Sequence, residues 1–228
     1  MGANVASDTD KRLAAEAAVA EVRDGMLVGL GTGSTAAFAI AALGRRVGEG
    51  LRIEAVATSE ASRRAAVALG MVVRDFAEVA ALDLAIDGAD EIDARLRAIK
   101  GAGGAMLREK AVAAAARRMV VIADGSKWVD AIGRAKMPVE VLPFARAFVV
   151  VRLEALGAIV AVRDGLTDNG NLIADCRFAA MPDPYGIAAA IAAIPGALGH
   201  GLFLEEVDAA YIADGGIVTR LERDGAND

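Results

Sequence analysis

One pattern constrains this chain more than any other. A short, continuously apolar run stops at a loop of Gly, hydroxyl, carboxylate or Lys residues, and an Ala-rich helical stretch often follows. Met26 to Gly31 ends in Gly31-Thr32-Gly33-Ser34-Thr35 and leads into a helix at Ala36 to Val47. Strands follow at Arg52 to Ala57, Met71 to Asp75, Asp83 to Asp87 and Met119 to Asp124, with helices at Ala61 to Leu69 and about Ala105 to Arg117. Ahead of them, Asp8 or Thr9 is placed to cap a helix running to about Val22. Strands that are apolar along their whole length need cover on both faces. Alternation with helices then predicts a mostly parallel sheet between helical layers.

After Lys127 the character changes. A strand at Pro138 to Leu142, a helix at Ala145 to Leu156 and strands at Ala158 to Arg163 and Asn171 to Cys176 precede a helix at Pro184 to Ile194 and a strand at His200 to Leu204. Asn169-Gly170 between the paired strands supplies the positive φ values of a hairpin turn. The order β-α-β-β-α-β is the split βαβ arrangement of ferredoxin-like units. The expected class is therefore α/β: a Rossmann-like sheet with helices on both faces, formed by 1–130 and 208–228, and a smaller inserted α+β domain at 131–207. Strands at Ala209 to Ala213 and Ile217 to Leu221 return to the first sheet, before a polar tail from Glu222 to Asp228.

Composition removes several function classes. A net charge of −6 without a Lys/Arg stripe argues against nucleic acid or an anionic membrane as partner. The longest apolar stretch, Gly186 to Leu198, is broken by Pro195 and too short for a bilayer, and Ala6 stands where a myristoylation motif needs Ser or Thr. The single cysteine, Cys176, forbids an internal disulfide and suits a reducing compartment, so a soluble cytoplasmic protein is expected. With one histidine, His200, any acid–base chemistry must draw on Asp, Glu and Lys.

Four loops carry candidate chemistry. Thr32, Gly33, Ser34 and Thr35 lie between a strand and a helix, where free N–H groups and hydroxyls suit a phosphate. The same loop nominally fits a dinucleotide fingerprint, Gly31-x-Gly33-x-x-Ala36, and also a plain turn capped by Ser34 or Thr35. Asp87, Gly88, Ala89, Asp90 and Glu91 end another strand, where ligands of open α/β sheets collect. A solvated turn is the bland alternative, and the spacing lacks the oxygen pattern of a calcium loop. Lys100, Gly101, Ala102 and Gly103 form a second Gly-rich loop before a helix that carries Glu109. Asp124-Gly125-Ser126-Lys127 adds another cation at the same sheet edge.

Together GLGTGSTAA, ATSEAS, DLAIDGADEID, KGAGGAMLREK, IADGSKWV, PVEVLPFA and TDNGNLIADC closely resemble the type A ribose-5-phosphate isomerases, in order and at near-constant spacing from about Lys11 to the last strands. The resemblance implies interconversion of ribose 5-phosphate and ribulose 5-phosphate in the pentose phosphate pathway, through an enediolate and without metal or organic cofactor. It implies substrate-binding loops at Thr32–Thr35, Asp87–Asp90 and Lys100–Gly103, with Lys127 and Lys11 as further substrate contacts. Glu109 is implied as the base, Lys100 as oxyanion stabiliser, Asp87 in ring opening and Asp90 in orienting hydroxyls or Lys100. A homodimer or dimer of dimers is implied as well.

Two positions depart from the family pattern. Ala102 stands where KGGG has Gly, which would strain the loop if positive φ were needed, and Leu107 stands where Thr is usual. Two rival readings remain, a non-catalytic sugar-phosphate sensor and a nicotinamide-dependent oxidoreductase. The second asks for an acid at the end of the next strand, where the chain offers Thr58-Ser59-Glu60.

Overall fold

The computed structural model describes residues 2–223, with side chains from residue 7 onward. The first half reads α1 (Gly2–Val19), β1 (Leu27–Leu30), α2 (Ser34–Gly48), β2 (Glu54–Ala57), α3 (Glu60–Ala68), β3 (Val72–Val73) and β4 (Leu84–Gly88). Two short strands, β5 (Glu91–Ile92) and β6 (Ala98–Ile99), precede α4 (Met106–Ala115) and β7 (Met119–Asp124). The remainder is β8 (Met137–Val141), α5 (Arg146–Ala155), β9 (Ile159–Val162), β10 (Leu172–Arg177), α6 (Pro184–Ala192), β11 (Ala197–His200), β12 (Leu202–Phe203), β13 (Ala209–Asp214) and β14 (Ile217–Glu222).

The apolar strands assemble into a seven-stranded sheet of order β14-β13-β7-β4-β1-β2-β3, parallel except for β14. Alternate residues serve opposite faces, as the strand period of two requires. Leu84, Ile86, Val120 and Ile122 pack with Ala14, Ala18, Ile40 and Leu43 of α1 and α2. Ala85, Met119 and Val121 pack on the other face with Val112 and Ala113 of α4 and with Phe203. Both faces are thus buried, which explains why these strands lack polar alternation. The expected α/β class with a mostly parallel sheet holds.

The second sheet runs β11-β8-β10-β9, antiparallel throughout, the strand order of a split βαβ unit. Val149 and Leu153 of α5 and Ile191 of α6 pack against Val139, Val141, Ala174 and Cys176. Here the expected strand at His200 to Leu204 is corrected. Ala197–His200 pairs with β8, while Leu202–Phe203 pairs with β6 in a separate three-stranded sheet, β12-β6-β5. Gly201 divides them: a β-carbon there would sit 2.3 Å from Lys100 O and 2.6 Å from Pro138 Cδ. Its backbone bonds both neighbours, Lys100 N–H to Gly201 O and Gly201 N–H to Pro138 O. Two-residue strands such as β5 and β6 leave no periodic trace, so they were absent from the sequence reading.

Two terminal expectations also change. The helix expected to start at Asp8 or Thr9 already includes them, and it ends before Val22. Asp8 pairs with Lys11 along the helix surface, while Asp10 accepts from the N–H groups of Gly215 and Gly216 in the β13–β14 turn. In the expected polar tail, Glu222 closes β14, and residues 224–228 lie outside the described residues. Among the described residues no helix is long and apolar enough to cross a membrane.

The sheet order reverses direction between β1 and β4, so their carboxyl ends flank the crevice where open α/β sheets hold ligands. Gly31 is built into that crevice, because a β-carbon on it would lie 1.9 Å from Asp87 Oδ1. Gly31→Ala is expected to cost about 1–3 kcal/mol through overpacking. That equals a fall in Tm of roughly 2–10 °C for a chain of this size. Activity should fall with it, and a melt matching wild type would contradict the close approach.

Candidate active site

The centre of the site is an ammonium buried between two carboxylates. Lys100, 2% exposed, places Nζ 2.8 Å from Asp87 Oδ2 and 3.1 Å from Glu109 Oε2, and it also donates to Gly88 O. Three segments that follow one another along the chain deliver these groups: the end of β4, the loop after β6 and the first turns of α4. Asp87 Oδ1 accepts from Thr32 N–H at 3.0 Å and from Gly88 N–H at 2.7 Å. That carboxylate is thereby fixed by its own strand and by the loop after the neighbouring β1.

The electrostatics follow from burial with unequal charge. Burial first, then the neighbouring Asp87 charge, push the Glu109 carboxyl up to about 8, against the opposing pull of Lys100. Burial also raises Asp87, opposed by Lys100 and by its two backbone donors. For Lys100 burial disfavours the ammonium, yet Asp87 and Glu109 outweigh it and hold the lysine above its ordinary value. One permanent cation thus faces two carboxyl groups, of which Glu109 takes a proton readily near neutral pH.

A cavity of about 360 Å³ opens beside this triad, lined by Glu109, Lys100, Gly88, Ala89 and Asp90, by Gly101–Gly103, and at its other walls by Thr32–Thr35, Lys11 and Lys127. Every residue expected at the site reaches this wall except Asp87, which sits behind it and meets Lys100. The helix α2 starts at Ser34 with Gly33 at φ 109° as its cap residue and no side-chain cap. The alternative of a plain turn capped by Ser34 or Thr35 is not met, and the first-turn N–H groups stay open to an anion. Asp90 accepts from Ala102 N–H at 2.9 Å; no contact joins it to Lys100. Glu91 is instead structural, accepting from the N–H groups of Gly133, Arg134 and Ala135.

Some residues at the site take places that the sequence pattern does not assign to them. Thr32 Oγ1 meets Thr58 and Ser59 hydroxyls at 2.8 Å each and Ser62 at 3.3 Å, so the ATSEAS segment braces the first loop. Hydroxyl residues spaced for a helix start were the only signal. Ser7, Asp124 and Ser126 also line the cavity. Asp124 is buried and accepts from Ser7 Oγ and from the N–H and hydroxyl of Ser126. The acid needed at the end of β2 for a ribose is missing, since Thr58 and Ser59 serve Thr32 and Glu60 pairs with Arg63.

Both departures find an explanation. Positive φ falls at Gly101 (105°) and Gly104 (79°), and Ala102 has none, so its methyl causes no strain. Leu107 fits because position 199 is Gly; a β-carbon there would lie 2.7 Å from Leu107 Cδ1. His200 lines no part of the cavity, accepts from Leu202 N–H, and is driven down to about 4 by burial and by Lys110.

Fold and site together define an α/β enzyme of acid–base type for a small anionic substrate. The family described as ribose 5-phosphate isomerase A (phosphoriboisomerase A) matches residues 54–216. The ribose-5-phosphate isomerase A of Sphingopyxis alaskensis is 55% identical, covering 92% of this chain and 94% of its own. The crystal structure of that enzyme from Neisseria gonorrhoeae superposes with a TM-score of 0.91 at 37% identity, covering 95% of this chain and 97% of the other. A D-ribose-5-phosphate isomerase in complex with phospho-erythronic acid superposes with a TM-score of 0.92 at 33% identity, covering 95% and 99%. The chain belongs to the ribose-5-phosphate isomerase A family. It is an enzyme of the pentose phosphate pathway that interconverts ribose 5-phosphate and ribulose 5-phosphate.

Removing the ammonium should expose its structural weight. Lys100→Met leaves Asp87 and Glu109 buried without their cation, which costs about 3–5 kcal/mol at neutral pH. The deficit in Tm should shrink as pH falls toward 5 and a carboxylate takes up a proton. A deficit independent of pH would contradict the shared-cation geometry.

Proposed function

We propose that Glu109 is the base of this isomerisation and that Lys100 stabilises the charge it creates. The observation carrying the reading is the Lys100 ammonium held 3.1 Å from Glu109 and 2.8 Å from Asp87 at a cavity wall. Once the sugar ring is open, the base takes the proton from carbon 2 and returns it to carbon 1. The carbonyl oxygen on carbon 1 becomes an enediolate oxygen and then a hydroxyl, taking up the proton that the carbon 2 hydroxyl gives up as it becomes the new carbonyl. A carboxyl titrating near 8 is well matched to both halves of that transfer. Lys100 stays charged throughout and acts as a fixed electrostatic donor, as in an oxyanion hole.

In this reading the phosphate lies at the other end of the cavity, against the open first turn of α2, the hydroxyls of Ser34 and Thr35, and Lys11 and Lys127. The remote phosphate then supplies binding energy that positions the reacting carbons. The relative's ligand is consistent with this: the carboxylate of phospho-erythronic acid has the planar, two-oxygen charge of an enediolate. Asp90 orients hydroxyls. Asp87 serves mainly by fixing Lys100, and the direct part in ring opening suggested by the motif requires its Oδ2 to trade the ammonium for substrate. Residues 131–207 as a separate small domain, a homodimer or dimer of dimers, and a cytoplasmic site complete the proposal. Exposed Phe144, Phe148 and Val151 on one side of α5 and its preceding turn support self-association, which light scattering tests.

Two measurements test the base. Glu109→Gln should lower kcat by about 10²–10⁴-fold. Near-full turnover with substrate binding retained would remove Glu109 from the mechanism. In the wild type, kcat/KM should rise with pH through an acid limb near 8, set by Glu109 together with Asp87, Lys100 and Asp90 around it. The sign for stability is opposite. A carboxyl raised in the native state keeps its proton where the unfolded chain has released it, so stability falls as pH rises toward 8. The Tm of Glu109→Gln relative to wild type should therefore increase over that window, and a constant difference would count against the raised value.

A further inference from the structure

Arg163 follows β9 in the second sheet and touches no residue expected at the site from sequence motifs except the loop after Lys100. Nε and Nη2 bond both oxygens of Asp175 on β10, at 3.0 and 2.6 Å. A guanidinium held in that two-point way has its remaining N–H directions fixed by its plane. Those directions end on the catalytic loop: Nη1 donates to Ala102 O at 2.9 Å and Nη2 to Gly101 O at 3.3 Å.

The same peptides are held from the opposite side. In a trans peptide C=O and N–H point in opposite directions. Gly101 C=O on Arg163 and Ala102 N–H on Asp90 therefore lock one peptide plane. Ala102 C=O on Arg163 turns the next N–H, that of Gly103, away from the guanidinium, and Gly103 itself lines the cavity. A Gly-Ala-Gly-Gly loop has little conformational preference of its own; one turn bond, Gly104 N–H to Gly101 O at 3.0 Å, closes it, and the external bonds fix the planes of its peptides.

We propose that Arg163, clamped by Asp175, is a positioning residue for the isomerisation: it sets the peptides after Lys100 so that the ammonium stays between its carboxylates and Gly103 N–H faces the substrate. The hold crosses from the second sheet to the reacting groups on the first. It rests on the assignment of Lys100 and Glu109 above.

Arg163→Ala is expected to lower kcat by about 10- to 100-fold, as a displaced catalytic group does. KM should rise severalfold in the same variant, and its melt should be lowered by the loss of the Asp175 partner while the chain stays folded at the assay temperature. Ethylguanidinium at millimolar concentration should restore part of kcat in Arg163→Ala and leave wild type unchanged, because it refills the fork between Asp175 and the two carbonyls. Arg163→Lys keeps the charge but not the fork, and should lie between the two. Wild-type kcat and KM in Arg163→Ala, or a loss that follows the unfolded fraction and gives no recovery with ethylguanidinium, would overturn the proposal. If the Ala variant does not fold, Arg163→Lys decides: reduced kcat with raised KM supports the role, and wild-type kinetics overturn it. Full activity in Glu109→Gln would instead refute the base assignment, whatever Arg163 does.

Discussion

The rest of the site depends on how a buried ammonium is shared. A lysine taken out of water must be paired, and Lys100 is paired twice, with Asp87 and Glu109. Each carboxylate alone would neutralise one charge; two leave an excess negative charge in a desolvated place. That excess keeps Glu109 ready to hold a proton, and the lysine keeps the proton from being held too tightly. In the proposed mechanism the acid–base function follows from unequal pairing and does not draw on the single histidine. The stability cost falls on the fold, which must hold three chains of backbone in register to keep the charges together.

Backbone packing supplies that register. β1 and β4 are neighbours at the point where the sheet order reverses, so Thr32 N–H from one reaches Asp87 from the other. The approach is possible only because residue 31 is Gly, with no β-carbon to meet the carboxylate. The Lys100 loop is tied by Gly201 to the crossing of the second and third sheets, by Asp90 from the acidic turn, and by Arg163 from the hairpin of the second sheet. A loop rich in glycine becomes rigid through its surroundings, and the second sheet contributes geometry to a site whose reacting groups it does not carry.

Much of this was legible beforehand, for identifiable reasons. Long apolar strands such as Met119 to Asp124 announce burial on both faces, and polar groups at their ends mark the ligand edge. The hairpin order after Met137 was readable from the flanking apolar runs, but the expected turn is corrected: Gly170 takes positive φ (78°) and Asn169 does not, within a connection from Val162 to Leu172. What was unreadable is equally specific. β5, β6 and β12 are too short to show a period, and their pairing depends on Gly201 crossing beneath Lys100. Asp87 belongs to the loop motif but stands behind the wall, because backbone donors and Lys100 take both its oxygens. Arg163 carried no signal, since an arginine at a strand end is ordinary until its partners are known.

The sequence by itself determined the layered α/β architecture, the acids, lysines and hydroxyls at one sheet edge, and, through its motifs, the isomerase family. Periodicity and loop chemistry are local properties, and local properties survive in a linear string. Only the tertiary structure decided that Lys100 lies between Asp87 and Glu109, that Ala102 escapes the strain a positive φ would impose, and that the second sheet reaches the reacting loop through Arg163. Those follow from how sheets stack, where a missing β-carbon lets one backbone approach another, and which partners the loop after β6 meets, none of which a linear string records.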